Sequence, residues 1–383
     1  MKRYFLWFIS ILLSIPAHAY QTDSLQVSLL TIEPRTNQVY TIYGHTALRL
    51  CDPSQQMDIV FNWGTFDFSA PHFLYRFIRG ETDYFLSYAN YEQFLYAYTR
   101  ENAAVIEQIL DLPPEGKNLL LQKLSINLQP ENLIYRYNFL FDNCTTRVRD
   151  LIEQSRPGLI YPDQTDKTTF RTLIHSCTEP YPWMTFGIDL LIGSGADSLI
   201  SVRQELFLPV KLSEALDKSV FLPTAHPDVA PVVLSSQPVL TAVSQPEVRR
   251  SFWESPVRVG YFILLIYSII IIVGRIKHRP LKGWFVPLFF IAGASGCLLA
   301  FMAVFSYHPC VSPNWNLLWL HPFHLIAFAG YLNNWRSHSV WTKVLFWYHA
   351  GNFVLLCGLL LGGHWMPQTF HPADIPFILC LAL

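Results

Sequence analysis

Nucleophilic chemistry in this chain would centre on Cys144. It sits in Asn138-Phe139-Leu140-Phe141-Asp142-Asn143-Cys144-Thr145-Thr146-Arg147-Val148-Arg149-Asp150, which reads as a strand running into a helix. Asp142 or Asn143 can cap that helix by accepting backbone N–H bonds. Val148, Leu151 and Ile152 follow at helical spacing, and Cys144 lies four residues before Val148 on the same, inward face. A thiol in the first turn feels the positive end of the helix dipole, which favours the thiolate. A thiolate beside an imidazole is a nucleophile. A lone cysteine is more often just a small buried hydrophobe, so the weight falls on finding its histidine.

The strands that could bring one lie earlier. Residues 25–33 and 40–50 read as strands. In the second, Ile42, Gly44, Thr46, Leu48 and Leu50 share one face, and Tyr43, His45, Ala47 and Arg49 the other. Gly44 lets another backbone come close, and His45 faces away from the main apolar side, toward a groove. Residues 57–63 alternate again, with Met57, Ile59, Phe61 and Trp63 opposite Asp58, Val60 and Asn62. Two adjacent strands can set Asn62 or Asp58 beside His45, and either could orient the imidazole through its second nitrogen. Gly64 to Phe68 turns the chain, with Asp67 as a turn or cap residue.

Around this core the pattern predicts two helices over 91–126 broken at Pro113-Pro114, then extended chain from Glu131 to Leu140. Residues 170–215 are mixed, with His175 and Cys177 in packing roles. Dense aromatics from Phe61 to Tyr98 predict either core or a lipid-facing surface. Residues 224–256 read as a linker or extended connector, rich in Pro, Ser and Val from Thr224 to Val248.

The two ends of the chain speak of export and membrane. Met1 to Ala19 has a basic start, a short apolar core and Ala17-His18-Ala19, the signature of a secretory signal peptide. A periplasmic domain would then occupy 20–223 and a transmembrane domain 257–383. Apolar runs at about 257–274, 284–305, 316–332 and 343–363 predict four full membrane helices, with a short fifth segment at 373–383. Arg275, Lys277, Arg279 and Lys282 crowd one loop, and Arg336 and Lys343 mark another. The positive-inside rule therefore makes the basic loops cytoplasmic and places the domain before Val257 on the outer side of a multi-pass membrane anchor. Polar residues in the outward loops, among them Asn314, Asn316, Gln368 and His371, could form a rim for a lipid headgroup.

Composition narrows the partners. Of 383 residues, 51% are hydrophobic and 14% charged, and the net charge is -1, which gives no footprint for nucleic acid. The seven cysteines are too widely spaced for a CxxC metal pattern or a small disulfide scaffold. No P-loop or zinc pattern is present, so no metal or cofactor is expected.

Gly44-His45 on a strand, a polar residue on the next strand, and Asn143-Cys144 on a later helix make a papain-type trio in permuted order. This resembles the circularly permuted NlpC/P60-like thiol enzymes, which implies an α+β papain-like fold. Tyr43-Gly44-His45-Thr46, Asn62-Trp63-Gly64-Thr65-Phe66-Asp67-Phe68 and Asn143-Cys144-Thr145-Thr146-Arg147 narrow it further. They resemble the Lnb-type periplasmic domain, and the helical bundle resembles the transmembrane domain that accompanies it. The resemblance implies a lipoprotein N-acyltransferase with Cys144 as nucleophile and His45 as base. The acyl donor would be a phospholipid and the acceptor the amine of a diacylated lipoprotein. Asn62 is the expected third member, with Asp67 and Asp58 behind it. Asn143 would lend support, and Arg147 either meets a lipid phosphate or forms a surface ion pair. The competing readings are a hydrolase of the same fold (a phospholipase, or a peptidoglycan peptidase or amidase) and a membrane scaffold with an inactive thiol domain.

Overall fold

Three alternating segments near the start of the chain become neighbouring antiparallel strands, β1 (Gln26–Ile32), β2 (His45–Asp52) and β3 (Met57–Thr65). The computed structural model describes residues 24–35, 41–163, 167–222, 230–243, 251–278, 282–333 and 340–383. The signal peptide read at 1–19 lies outside the described residues. The chain continues through α1 (Phe73–Arg79), β4 (Asp83–Asn90), α2 (Tyr91–Arg100), β5 (Val105–Leu110), α3 (Pro114–Asn127), β6 (Ile134–Arg136) and α4 (Cys144–Ser155). Next come β7 (Leu159–Ile160), α5 (Phe170–Thr178), α6 (Pro182–Leu191), α7 (Pro209–Lys218), β8 (Val220–Phe221), β9 (Ala230–Pro231) and β10 (Val233–Leu240). Helices α8 (Pro256–Ile276), α9 (Phe285–Phe305), α10 (His324–Asn333), α11 (Val340–Gly362) and α12 (Asp374–Ala382) complete it.

The chain divides into two units. One comprises Met1–Phe73, Glu81–Asp166 and Ser201–Gln245, the other Leu74–Gly80, Lys167–Ile200 and Pro246–Leu383. The first is α+β and the second helical, as expected. The boundary at 223 is not where the units part, because residues 74–80 and 167–200 go with the helical unit. Side-chain amides explain this. Asn314 donates to Leu190 O at 2.8 Å and Asn316 to Asp189 O at 2.8 Å, while the Tyr307 N–H donates to Arg79 O at 2.8 Å. With their donors engaged this way, Asn314 and Asn316 act as struts rather than as a headgroup rim.

In the α+β unit, seven strands form one antiparallel sheet in the order β10-β5-β1-β2-β3-β4-β6. Both faces are covered. Leu29, Leu48, Leu50, Phe61 and Trp63 pack with Leu120 of α3, Ile152 of α4 and Leu216 of α7. Leu30, Ile32, Ala47, Val60 and Val105 pack with Phe94 of α2. This corrects two expectations. Residues 91–126 do hold two helices, with α3 starting at the Pro113-Pro114 break, but the strand β5 lies between α2 and α3. Its alternation was hidden by Glu107 and Gln108, which are buried yet paired: Glu107 accepts from Arg49 at 2.9 Å, and Gln108 donates to Asp217 at 2.6 Å. The linker at 224–256 contains β10, which pairs with β5 at the sheet edge. An edge strand tolerates Pro238, whose missing N–H would break an interior ladder.

In the helical unit, α8, α9 and α11 are long and apolar enough to cross a bilayer. Among the described residues, three of the expected spans are long and apolar enough by themselves. The run at 316–332 folds instead as a 3-10 turn, Trp315–Leu318, followed by the ten-residue α10. Pro322 lies between them and cannot continue a helix from His321. In the aromatic-rich stretch Phe61, Tyr84 and Phe94 are buried as core, whereas Tyr75, Phe77 and Tyr96 are exposed.

Candidate active site

The site begins with a helix cap. Asn143 Oδ1 accepts from the Thr145 and Thr146 amides at 2.8 and 2.9 Å, and the Thr146 hydroxyl accepts from the Asn143 N–H at 2.8 Å. This reciprocal box starts α4 at Cys144. Asn143 Nδ2 donates to Phe139 O at 2.7 Å and Phe207 O at 3.0 Å, tying the cap to two other segments. Asn143 therefore positions Cys144 through the backbone. Because the cap occupies the Thr145 and Thr146 amides, the Cys144 N–H is the first-turn donor left for a ligand oxygen.

His45 opens β2, one residue after Gly44, whose φ is +75°. A Cβ on Gly44 would stand 2.5 Å from Ile32 O, so the close backbone approach expected there is present. Ala47 pairs with Asn62 across β2 and β3, so the period of two sets Asn62 on the His45 face. His45 Nε2 lies 3.2 Å from Asn62 Oδ1. An amide oxygen only accepts, so Nε2 carries the proton and Nδ1 is left as the basic nitrogen.

Cys144 meets the same ring. The thiol and the imidazole line the same cleft, and each shifts the other's titration. Burial pushes the Cys144 thiol up. The His45 charge, the hydrogen bonds from His45 and the Thr46 N–H, and the Thr145 hydroxyl outweigh it, so the thiol titrates below its ordinary value. Burial lowers His45, but the Cys144 charge and the hydrogen bonds to Cys144 and Asn62 leave it above its ordinary value. Opposite shifts in neighbouring partners favour a thiolate–imidazolium pair. The two residues open onto a cleft of about 420 Å³ with Phe66, Tyr84, Tyr137, Phe139 and Leu208 in its wall.

The other candidates lie elsewhere. Asp67 is exposed and accepts from the Ser69 amide at 2.8 Å and its hydroxyl at 2.6 Å, a local turn. Asp58 is bound by Arg49, Nε to Oδ1 and Nη2 to Oδ2, both at 2.7 Å. Arg147 pairs with Asp142 at 2.6 and 2.9 Å and stacks 3.7 Å over the Tyr135 ring, lining a hollow separate from the cleft. That is the surface ion pair. His175 Nε2 faces Asp189 at 2.8 Å in the helical unit, consistent with packing.

Two contributors were not singled out from the sequence. Gly64, at φ +103°, follows a register shift between Asn62 and Thr65. A Cβ there would stand 3.6 Å from Cys144 Cβ and 3.9 Å from His45 Cε1, so this glycine makes room for both. The available signal was a lone glycine inside a strand pattern, which marks a bulge or a close approach. The second is the buried pair Thr46 Oγ1 and Thr145 Oγ1, 3.1 Å apart, which joins β2 to α4 directly behind the thiol. No group of three or more His, Cys, Asp or Glu among the described residues could hold a metal ion.

Two family models match the chain: the Lnb N-terminal periplasmic domain over residues 14–176 and the Lnb transmembrane domain over residues 247–383. No curated protein and no solved structure matches it.

Proposed function

Because the chain belongs to the Lnb family, whose two domains cover most of its length, we propose that it is a lipoprotein N-acyltransferase working through an acyl-thioester on Cys144. Membership makes it a lipoprotein-maturation enzyme with a periplasmic N-terminal domain and a transmembrane domain. The finer reading rests on one observation: a half-buried His45 beside Asn62 and Cys144, with Cys144 shifted toward thiolate.

The steps follow from that geometry. His45 Nδ1 takes the Cys144 proton, and the thiolate attacks an ester carbonyl of a membrane phospholipid. The S–C bond forms, the ester C–O bond breaks, and the imidazolium proton goes to the departing lysophospholipid oxygen. The Cys144 N–H meets the developing oxyanion. The α-amine of a diacylglyceryl-cysteine then attacks the thioester. The N–C bond forms, the S–C bond breaks, and His45 accepts the amine proton and returns it to sulfur. Asn62 holds the ring orientation throughout, as the third member of a triad does. A membrane anchor confines the enzyme to the surface where both lipid substrates reside.

The test is mass spectrometry of the purified full-length protein with phospholipid, then with a diacylated lipopeptide. An acyl adduct on Cys144 that passes to the peptide amine is expected, and Cys144→Ala should abolish both. Free fatty acid released without N-acylated peptide would instead identify a hydrolase, and full activity in Cys144→Ala would remove the thiol from the chemistry.

A further inference from the structure

We propose that Arg35 is the anion-reading residue of the Cys144 cleft and binds the phosphodiester of the acyl donor. This rests on the thioester reading above and adds to it the feature by which the donor is recognised. Arg35 lines the same cleft as Cys144 and His45, and its charge reaches the imidazole, acting to lower its pKa. Among the described residues lining the cleft it is the one permanent cation.

Its placement is fixed by backbone. The Arg35 N–H donates to Thr41 O at 2.9 Å, the Thr41 hydroxyl donates to Arg35 O at 3.1 Å, and the Gly44 N–H donates to the same Thr41 O at 3.1 Å. The loop that aims His45 thus also aims Arg35. The side chain is 11% exposed, and its guanidinium carbon lies 5.2 Å from the Tyr98 ring centroid. Among the described residues its side-chain partner is Glu101, through Nη1, and Nε is buried with no acceptor. Glu101 lies just past the end of α2 and is 47% exposed, so it holds the guanidinium from the solvent side. A buried guanidinium N–H without an acceptor is costly, and the planar fork fits the paired oxygens of a phosphate. A glycerophospholipid separates its phosphate from its acyl esters by glycerol carbons alone. A cation sharing the cleft with the nucleophile therefore registers the ester by gripping the phosphate.

The experiment uses the full chain in detergent and reads thioester formation at Cys144 by mass spectrometry. Phosphatidylglycerol is compared with a diacylglycerol carrying the same acyl chains and no phosphate. The wild type should prefer the phospholipid by roughly tenfold or more, as expected for charge-assisted bonds. Arg35→Gln should lose that preference by slowing the phospholipid reaction alone, and Arg35→Lys should recover part of it. Added salt should slow the wild-type phospholipid reaction and spare the diacylglycerol one, a readout independent of whether any variant folds. Inorganic phosphate that inhibits the phospholipid but not the diacylglycerol reaction marks competition at Arg35. Equal inhibition of both would mean the cleft takes free phosphate as a separate ligand and would overturn the donor role. Equal slowing of both lipids by Arg35→Gln, or no wild-type preference, would overturn the proposal and leave the thioester reading intact. No thioester from either lipid in the wild type would overturn both.

Discussion

Two neighbouring side chains shifted in opposite directions define a pH window. In the proposed mechanism the reactive form is the thiolate beside the imidazolium. It exists above the Cys144 pKa, which is held below the ordinary thiol value, and below the His45 pKa, which is held above the ordinary histidine value. The acid limb of kcat/KM should therefore report Cys144 and the alkaline limb His45. Asn62 is one of the contacts that raise His45. Asn62→Ala should accordingly move the alkaline limb to lower pH and cut kcat/KM by roughly tenfold or more, part of the 10²–10⁴-fold a positioned acid–base group supplies. Unchanged limbs in that variant would show that Asn62 does not tune the ring. His45 and Asn62 could be placed from the sequence because their strands alternate strictly and the side-chain period is two. The choice of Asn62 over Asp58 and Asp67 could not. It depended on Arg49 taking Asp58 and on Ser69 folding Asp67 into its own turn.

At the level of elements, the start of α4 is where structure and chemistry meet. Asn143 caps the helix and also satisfies the carbonyls of Phe139 and Phe207. Asn143→Ala should cost about 1–2 kcal/mol from the lost cap, with a further contribution from the two carbonyls left unpaired. The cost can be measured by denaturant unfolding of the full chain in detergent. A simultaneous fall in the reactivity of Cys144 with iodoacetamide would show that the cap also sets the thiol. A stability loss near zero would show that water replaces the side chain. The cap and the helix were legible because their signals are local. Strands β5 and β10 were not. The first carries buried Glu107 and Gln108 whose partners, Arg49 and Asp217, are remote in sequence. The second is a Pro-containing segment that becomes a strand only because β5 offers it an edge.

For the whole molecule, the two units differ in what holds them. The α+β unit packs apolar side chains on both faces of a sheet, while the helical unit presents long apolar helices with many exposed hydrophobic residues, as a lipid-facing surface requires. The basic loop after α8 predicts its side of the membrane. Green fluorescent protein fused after His278 should fluoresce, and alkaline phosphatase fused there should be inactive. The reverse pattern would invert the topology and put the thiol domain in the cytoplasm. By itself the sequence determined the exported and membrane-bound character of the chain, the capped helix that starts at Cys144 and the strand that presents His45. Each of these is written in local composition or in a short repeat. Only the tertiary structure decided that Asn62 faces the imidazole, that Gly64 clears the space beside the thiol, that β10 joins the sheet, and that residues 167–200 go with the membrane helices. Those outcomes depend on contacts between segments far apart in the chain, and a local pattern carries no information about its distant partner.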